Sequence, residues 1–233
     1  MMGETNYRSE FDVIAESFSM MVVSILVIMM AGSAIATEYS KGTIKFLVMT
    51  PNKRWKILFA KLLNAVIIMV ILTVVLSIIT LIVGKIFFNG YEAYPYLYVE
   101  NGEVHSLDHT AYVMLRFLSD DIDIFVYLLL ALMLSVITRN TAVSTGVSIA
   151  TYLGSSIVMT LLNAFVKADW LKFIPFNNMG ITDRIFTNTT SMTMTMSELT
   201  NNVPLTFSLS VLGVCAILMI VTMFDSFNKR DIK

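Results

Sequence analysis

Five stretches of this chain are apolar for long enough to cross a lipid bilayer. They cover residues 17–36, 62–84, 122–138, 142–165 and 205–224. A helix rises 1.5 Å per residue, so about 20 apolar residues span the roughly 30 Å of hydrocarbon. Lipid offers no partner for backbone N–H and C=O groups, so each such stretch must satisfy its own backbone as a helix. The second stretch, LLNAVIIMVILTVVLSIITLIVG, carries no charge at all. No ionisable residue falls in the middle of any of the five, where each would cost about 2.5–3.5 kcal/mol on insertion scales. Only 14% of the residues are charged, against roughly 25% in a soluble domain. The expectation is an all-α fold: a polytopic membrane helix bundle of about five transmembrane helices, one domain over 1–233.

Basic residues orient such a bundle. Lys41, Lys45, Lys53, Arg54, Lys56, Lys61, Arg139, Lys229, Arg230 and Lys233 fall on one side with only Glu38, Asp225 and Asp231. The other side holds six basic residues against fourteen acids. The basic side is therefore expected in the cytoplasm of a plasma membrane, with the amino terminus and segments 85–121 and 166–204 outside and the carboxyl terminus inside. A segment that begins outside normally follows an earlier span or a cleaved signal. Residues 1–16 are polar and acidic and form neither a signal nor a transit peptide. A further helix ahead of the first is thus expected, without which Ser24 and Ser33 face lipid unless they bond to their own helix. The net charge of −1 gives no reason to expect nucleic acid as a partner. Cys215, the single cysteine, lies in an apolar run and reads as a small packed hydrophobe.

The segment between the first two spans is amphipathic. Ile44, Leu47 and Val48 share one helical face and Lys41 and Lys45 another. Pro51 stops that helix, Lys53, Arg54 and Lys56 suit headgroups, and Trp55 suits the interface. Two readings stand at this point: a helix resting on lipid and a docking helix for a soluble partner.

Elsewhere the plainer readings prevail. Tyr91, Tyr94, Tyr96 and Tyr98 read as interface anchors. His105 and His109 with Asp108 form a metal-like trio if they share one helix face, but two histidines in a polar loop are more often solvated. Met192, Met194 and Met196 have a spacing that suits Cu(I), yet apolar filling explains them. Asn188-Thr189-Thr190 is a formal glycosylation sequon. Gly146, Ala150 and Gly154 repeat every four residues, the pattern that lets helices approach closely. With Ser148, Thr151, Ser155 and Ser156 beside them, this face reads as helix packing or, alternatively, as the lining of a polar path. No catalytic constellation is visible: HExxH is absent, Ser155 and Ser156 have no histidine within a span to serve as base, and GxxxxGK[ST] is missing.

The stretch Ala36-Thr37-Glu38-Tyr39-Ser40-Lys41-Gly42-Thr43-Ile44-Lys45-Phe46-Leu47, followed by Pro51, Arg54 and Lys61, resembles the signature of ABC-2 type transporter permeases. Leu134-Ser135-Val136-Ile137-Thr138-Arg139-Asn140-Thr141-Ala142 is similar to that family's short inner turn, and Phe227-Asn228-Lys229-Arg230-Asp231-Ile232 to its cytoplasmic finish. The resemblance implies a permease subunit with no cofactor or catalytic residue of its own. It would pair with a second permease subunit and with a separate cytoplasmic ABC ATPase that binds ATP and Mg. Glu38, Lys41, Gly42, Thr43, Ile44, Leu47, Pro51 and Arg54 would dock that ATPase as a coupling helix. The family usually has six spans, which again places one ahead of the first seen here. The uncharged spans favour export of an apolar or amphipathic cargo such as a lipid, drug or antimicrobial peptide. A membrane-embedded immunity or sensor protein that binds a peptide without transport is the other reading.

Overall fold

The computed structural model describes residues 7–43, 54–87, 96–100, 103–166, 168–185 and 204–229. Its elements are α1 (Tyr7–Ser33), α2 (Ala36–Ser40), α3 (Arg54–Phe87), β1 (Tyr96–Glu100), β2 (Glu103–Leu107), α4 (His109–Thr138), α5 (Thr141–Phe165), α6 (Ile181–Ile185) and α7 (Leu205–Lys229). Five segments within these helices are long and apolar enough to cross a membrane: Ile14–Ser40, Trp55–Phe87, His109–Thr138, Thr141–Phe165 and Leu205–Phe227. The chain is an all-α bundle and a multi-pass membrane protein.

The bundle is built around α4, which packs against α1, α3, α5 and α7. Val113, Phe117, Ile124, Leu128 and Leu132 of α4 are buried at helical spacing. The outward faces are apolar instead: Ile67, Ile71, Val75 and Ile82 of α3 and Ile217, Leu218 and Val221 of α7 are exposed, as lipid requires. Lipid tails match these side chains in polarity, so packing and polar contacts, not the hydrophobic effect, decide how the helices meet.

Four expectations change. The third span was placed from residue 122, but α4 begins at His109. At about 1.5 Å per residue α4 is about 45 Å long, and it carries Arg116, Asp120 and Asp121 inside the helix, not in a loop. His105 lies on β2, which pairs antiparallel with β1 in the register Tyr98↔His105, while His109 opens α4. Asp108 caps that helix by accepting the N–H of Thr110 at 3.0 Å, so the three residues do not share a helix face.

The docking segment does not run as one helix from Glu38. Here α2 ends at Ser40, and Gly42 turns the chain at φ +69°, a conformation that a Cβ would strain. Ile44, Leu47 and Pro51 lie outside the described residues. Lastly, the Gly146–Ala150–Gly154 face meets no other helix among the described residues. A Cβ built on Gly146 or Gly154 would find nothing within 4 Å, and Ala150 is exposed. The close approach occurs at Gly32, whose Cβ would fall 3.1 Å from the Thr145 Cα and 2.9 Å from its Cγ2. Only a residue without a side chain lets α1 lie this near α5. Ser24 and Ser33 do bond to their own helix, at the carbonyls of Met20 and Met30.

Candidate functional site

Among the described residues, two gatherings of polar side chains stand out, one toward each end of the bundle. The first surrounds a break in the helix between Ser33 and Ala36. Interrupting a membrane helix frees backbone groups that lipid cannot satisfy. Three neighbouring helices supply the partners. Ser135 of α4 accepts the N–H groups of Ile35 and Ala36 at 3.2 and 2.9 Å. The Ser144 hydroxyl of α5 lies 2.6 Å from the Gly32 carbonyl. Lys61 of α3 donates to the Ala34 carbonyl at 2.9 Å and pairs with Glu38.

The turn between α4 and α5 reaches the same place. Arg139 holds φ +53° there, and its guanidinium lies 4.4 Å from the centre of the Tyr39 ring, within cation–π range. Asn140 starts α5 by accepting the N–H groups of Ala142 and Val143. Of the docking residues expected from sequence, Glu38 thus joins this knot. Thr43 bonds back to the Glu38 carbonyl, Lys41 caps α2 through its own N–H, and Arg54 opens α3.

The second place is a cleft of about 470 Å³ between α1, α4 and α5. From α1, Glu16, Met20 and Ser24 reach it at successive four-residue steps; from α4 come Arg116, Asp120, Asp123 and Tyr127. Tyr152, Leu153 and Ser155 of α5 close it. Glu16 is only 4% exposed and accepts the Arg116 Nε–H at 2.7 Å, while Arg116 Nη1 donates to the Tyr112 hydroxyl at 2.9 Å. Asp123 accepts the N–H of Gly180 at 2.8 Å and so fastens the connection after α5 to α4. That connection is held by side chains at each step. Asn163 donates to Asn177, Asn177 to the Leu171 carbonyl, Asn178 to the carbonyls of Lys172 and Ile174, and Ser208 to Asn178.

At the deeper end of the cleft the Tyr127 hydroxyl and Ser155 are 2.7 Å apart. The Tyr127 and Tyr152 rings meet edge to face with centres 5.0 Å apart, a favourable aromatic arrangement. Against α3, Asp121 is 7% exposed and accepts the Thr73 hydroxyl at 2.7 Å. Ionisable side chains this far into a membrane helix are costly and mark functional sites by default.

Of the residues expected along a polar path, Ser155 lines the cleft, Gly146 and Ala150 face outward, and Gly154 has open space. The charged residues of the cleft were absent from that expectation. Arg116, Asp120, Asp123 and Tyr127 follow the four-, three- and four-residue steps of one helix face, which was the signal available. Met192, Met194, Met196 and Asn188 lie outside the described residues.

A family model described as "Protein of unknown function (DUF2705)" matches residues 3–233. The chain is 29% identical over 214 residues to "Uncharacterized protein YhcI" of Bacillus subtilis (strain 168), covering 91% of this chain and 65% of that protein. It is 28% identical over 208 residues to "Uncharacterized membrane protein YdbK" of the same organism, covering 89% of this chain and 77% of that protein. It thus spans just under two thirds of the first relative's length.

Proposed function

The chain belongs to the DUF2705 family, and we propose that it is the membrane-spanning subunit of an ABC-2 type transporter. In this reading it sits in the plasma membrane with its basic end in the cytoplasm, and it exports an apolar or amphipathic cargo using a separate ATPase. One observation carries the reading. The residues that bear the sequence resemblance, Glu38, Lys61, Ser135 and Arg139 with Tyr39, stand far apart along the chain yet meet at the break between α1 and α2. A push on the segment after Gly42 would reach α3, α4 and α5 together through that knot. The spans would then exchange between two packings as the ATPase closes and opens. The cleft at the opposite end would hold the cargo in one of those states.

The test is co-purification with a cytoplasmic ABC ATPase of the same cell, followed by ATP-dependent transport of an amphipathic dye by the reconstituted pair. Leu47→Asp and Gly42→Val should each abolish co-purification while the protein still inserts. The glycine change forces a β-branched residue into a left-handed turn at a cost of about 1–2 kcal/mol. Unchanged co-purification and transport in both variants would remove the docking reading. Tight capture of a peptide by a chain that associates with no ATPase would favour the immunity or sensor reading instead.

A further inference from the structure

We propose that the cleft between α1, α4 and α5 is a binding site for an amphipathic organic cation, an ammonium or phosphonium centre on an apolar body. Its volume of about 470 Å³ lies in the range of small-molecule sites, about 300–1,000 Å³. Its lining is unbalanced in charge, because beside the Glu16–Arg116 pair it holds two further carboxylates, Asp120 and Asp123, the second of which also accepts the Gly180 N–H. The Arg116 guanidinium is already engaged by Glu16 and by the Tyr112 hydroxyl, so it is not held in reserve for an anionic ligand. The surplus is negative charge in a wall that otherwise carries aromatic, apolar and serine side chains. In such surroundings a cation is attracted far more strongly than in water, and an anion is repelled.

Tyr152 adds a second attraction, because a tyrosine ring draws a cation through its quadrupole, most strongly when the cation has shed its water, while Tyr127, 6% exposed and stacked on Phe176, backs the site. Leu153 supplies wall for an apolar body. A small hydrated metal ion would gain nothing from the Tyr152 ring, whereas a bulky, weakly hydrated organic cation uses both halves of the site. The proposal relies on the transporter reading only in treating the ligand as cargo; binding itself belongs to the chain alone.

The experiment uses the full chain in phosphatidylcholine nanodiscs and equilibrium dialysis, with uptake by empty discs subtracted. Tetraphenylphosphonium is the probe, and tetraphenylborate, of nearly the same size and opposite charge, is the control. Saturable binding of the phosphonium and none of the borate is expected. Asp120→Asn should weaken it by about tenfold or more. Leu153→Trp, which fills the cleft without altering charge, should abolish it, and this variant decides the matter should Asp120→Asn fail to fold. Absence of saturable phosphonium binding, equal binding of the borate, or full binding by a folded Leu153→Trp protein would overturn the proposal. Failure of ATPase co-purification with cation binding intact would instead remove the transporter reading and leave this site standing.

Discussion

Around Ala34 most of the polar side chains bond backbone groups; around Glu16 most bond one another or line a cleft. Ser135, Ser144 and Lys61 each fill a vacancy left where the helix is broken. Removing any of them exposes a peptide group to a medium that cannot bond it. Glu16 and Arg116, in contrast, sit within unbroken helices whose backbones need no help, and their pairing compensates two charges that the fold does not otherwise require. A buried pair of this kind is weak support for stability, since an apolar pair of similar volume often packs as well. The knot is therefore needed by the fold whatever motion passes through it, whereas the charged cleft is retained at a cost to the fold, the usual mark of a working site.

The largest effect that separates the two regions should come from breaking the charge pair from one side. Arg116→Met leaves Glu16 buried without its cation and should cost about 3–5 kcal/mol, read as a drop in thermal midpoint in detergent. The double variant Glu16→Gln/Arg116→Met should recover most of that loss, because no charge is then stranded. Equal loss in the single and double variants would show that the pair holds the fold itself, and the contrast with the knot would fail. Ser135→Ala comes next. It strips the acceptor from two buried N–H groups, each worth about 1–3 kcal/mol when left unmet. No second substitution on α4 should rescue it, since the stranded donors belong to the backbone at the break and at the start of α2. Rescue would mean that the break can close into a continuous helix.

How far these regions were legible follows from the same contrast. The spans were readable because lipid imposes one rule, about 20 apolar residues per crossing, and the five windows obey it. The charged face of α4 was not readable by that rule, since Arg116, Asp120 and Asp121 lower the hydropathy of the first turns and make them resemble a loop. Their helical spacing and the cap at Asp108 were the compensating signals. Sequence marked Glu38 and Lys61 as members of one pattern, yet their pairing depends on a helix break at Ala34 that is hinted at only by the Gly32-Ser33 pair just before it. The hairpin of β1 and β2 was missed although Asn101-Gly102, a dipeptide favoured in tight hairpin loops, separates the paired ends.

A smaller effect tests whether the knot depends on contact as well as hydrogen bonding. Gly32→Ala places a methyl group 3.1 Å from the Thr145 Cα and 3.2 Å from its backbone nitrogen, atoms that cannot swing aside as a side-chain tip would. Overpacking of this kind should cost about 1–3 kcal/mol. It should also lengthen the Ser144 contact to the Gly32 carbonyl, so Gly32→Ala and Ser144→Ala should lose less together than the sum of their separate losses. Additive losses in that cycle would separate the two contacts and weaken the view of the break as one unit.

The smallest effect is expected on the other small-residue face. Gly32 has a helix against it, whereas Gly146 and Gly154 have open space and Ala150 is exposed. Small residues thus carry two different meanings in one protein, and sequence alone cannot tell them apart because it does not say which face of α5 turns toward α1. That choice is made by Ser144 and Ser148, which are buried on the side facing the bundle. Ala150→Leu should accordingly leave the thermal midpoint of the isolated chain within about 0.5 kcal/mol of the parent, the usual size for a surface change. The measurement is unfolding in detergent alongside the particle mass by light scattering. A midpoint that falls together with a mass that halves would mean that the face is covered by a second copy in the assembled protein. The stripe would then do between subunits what Gly32 does within one.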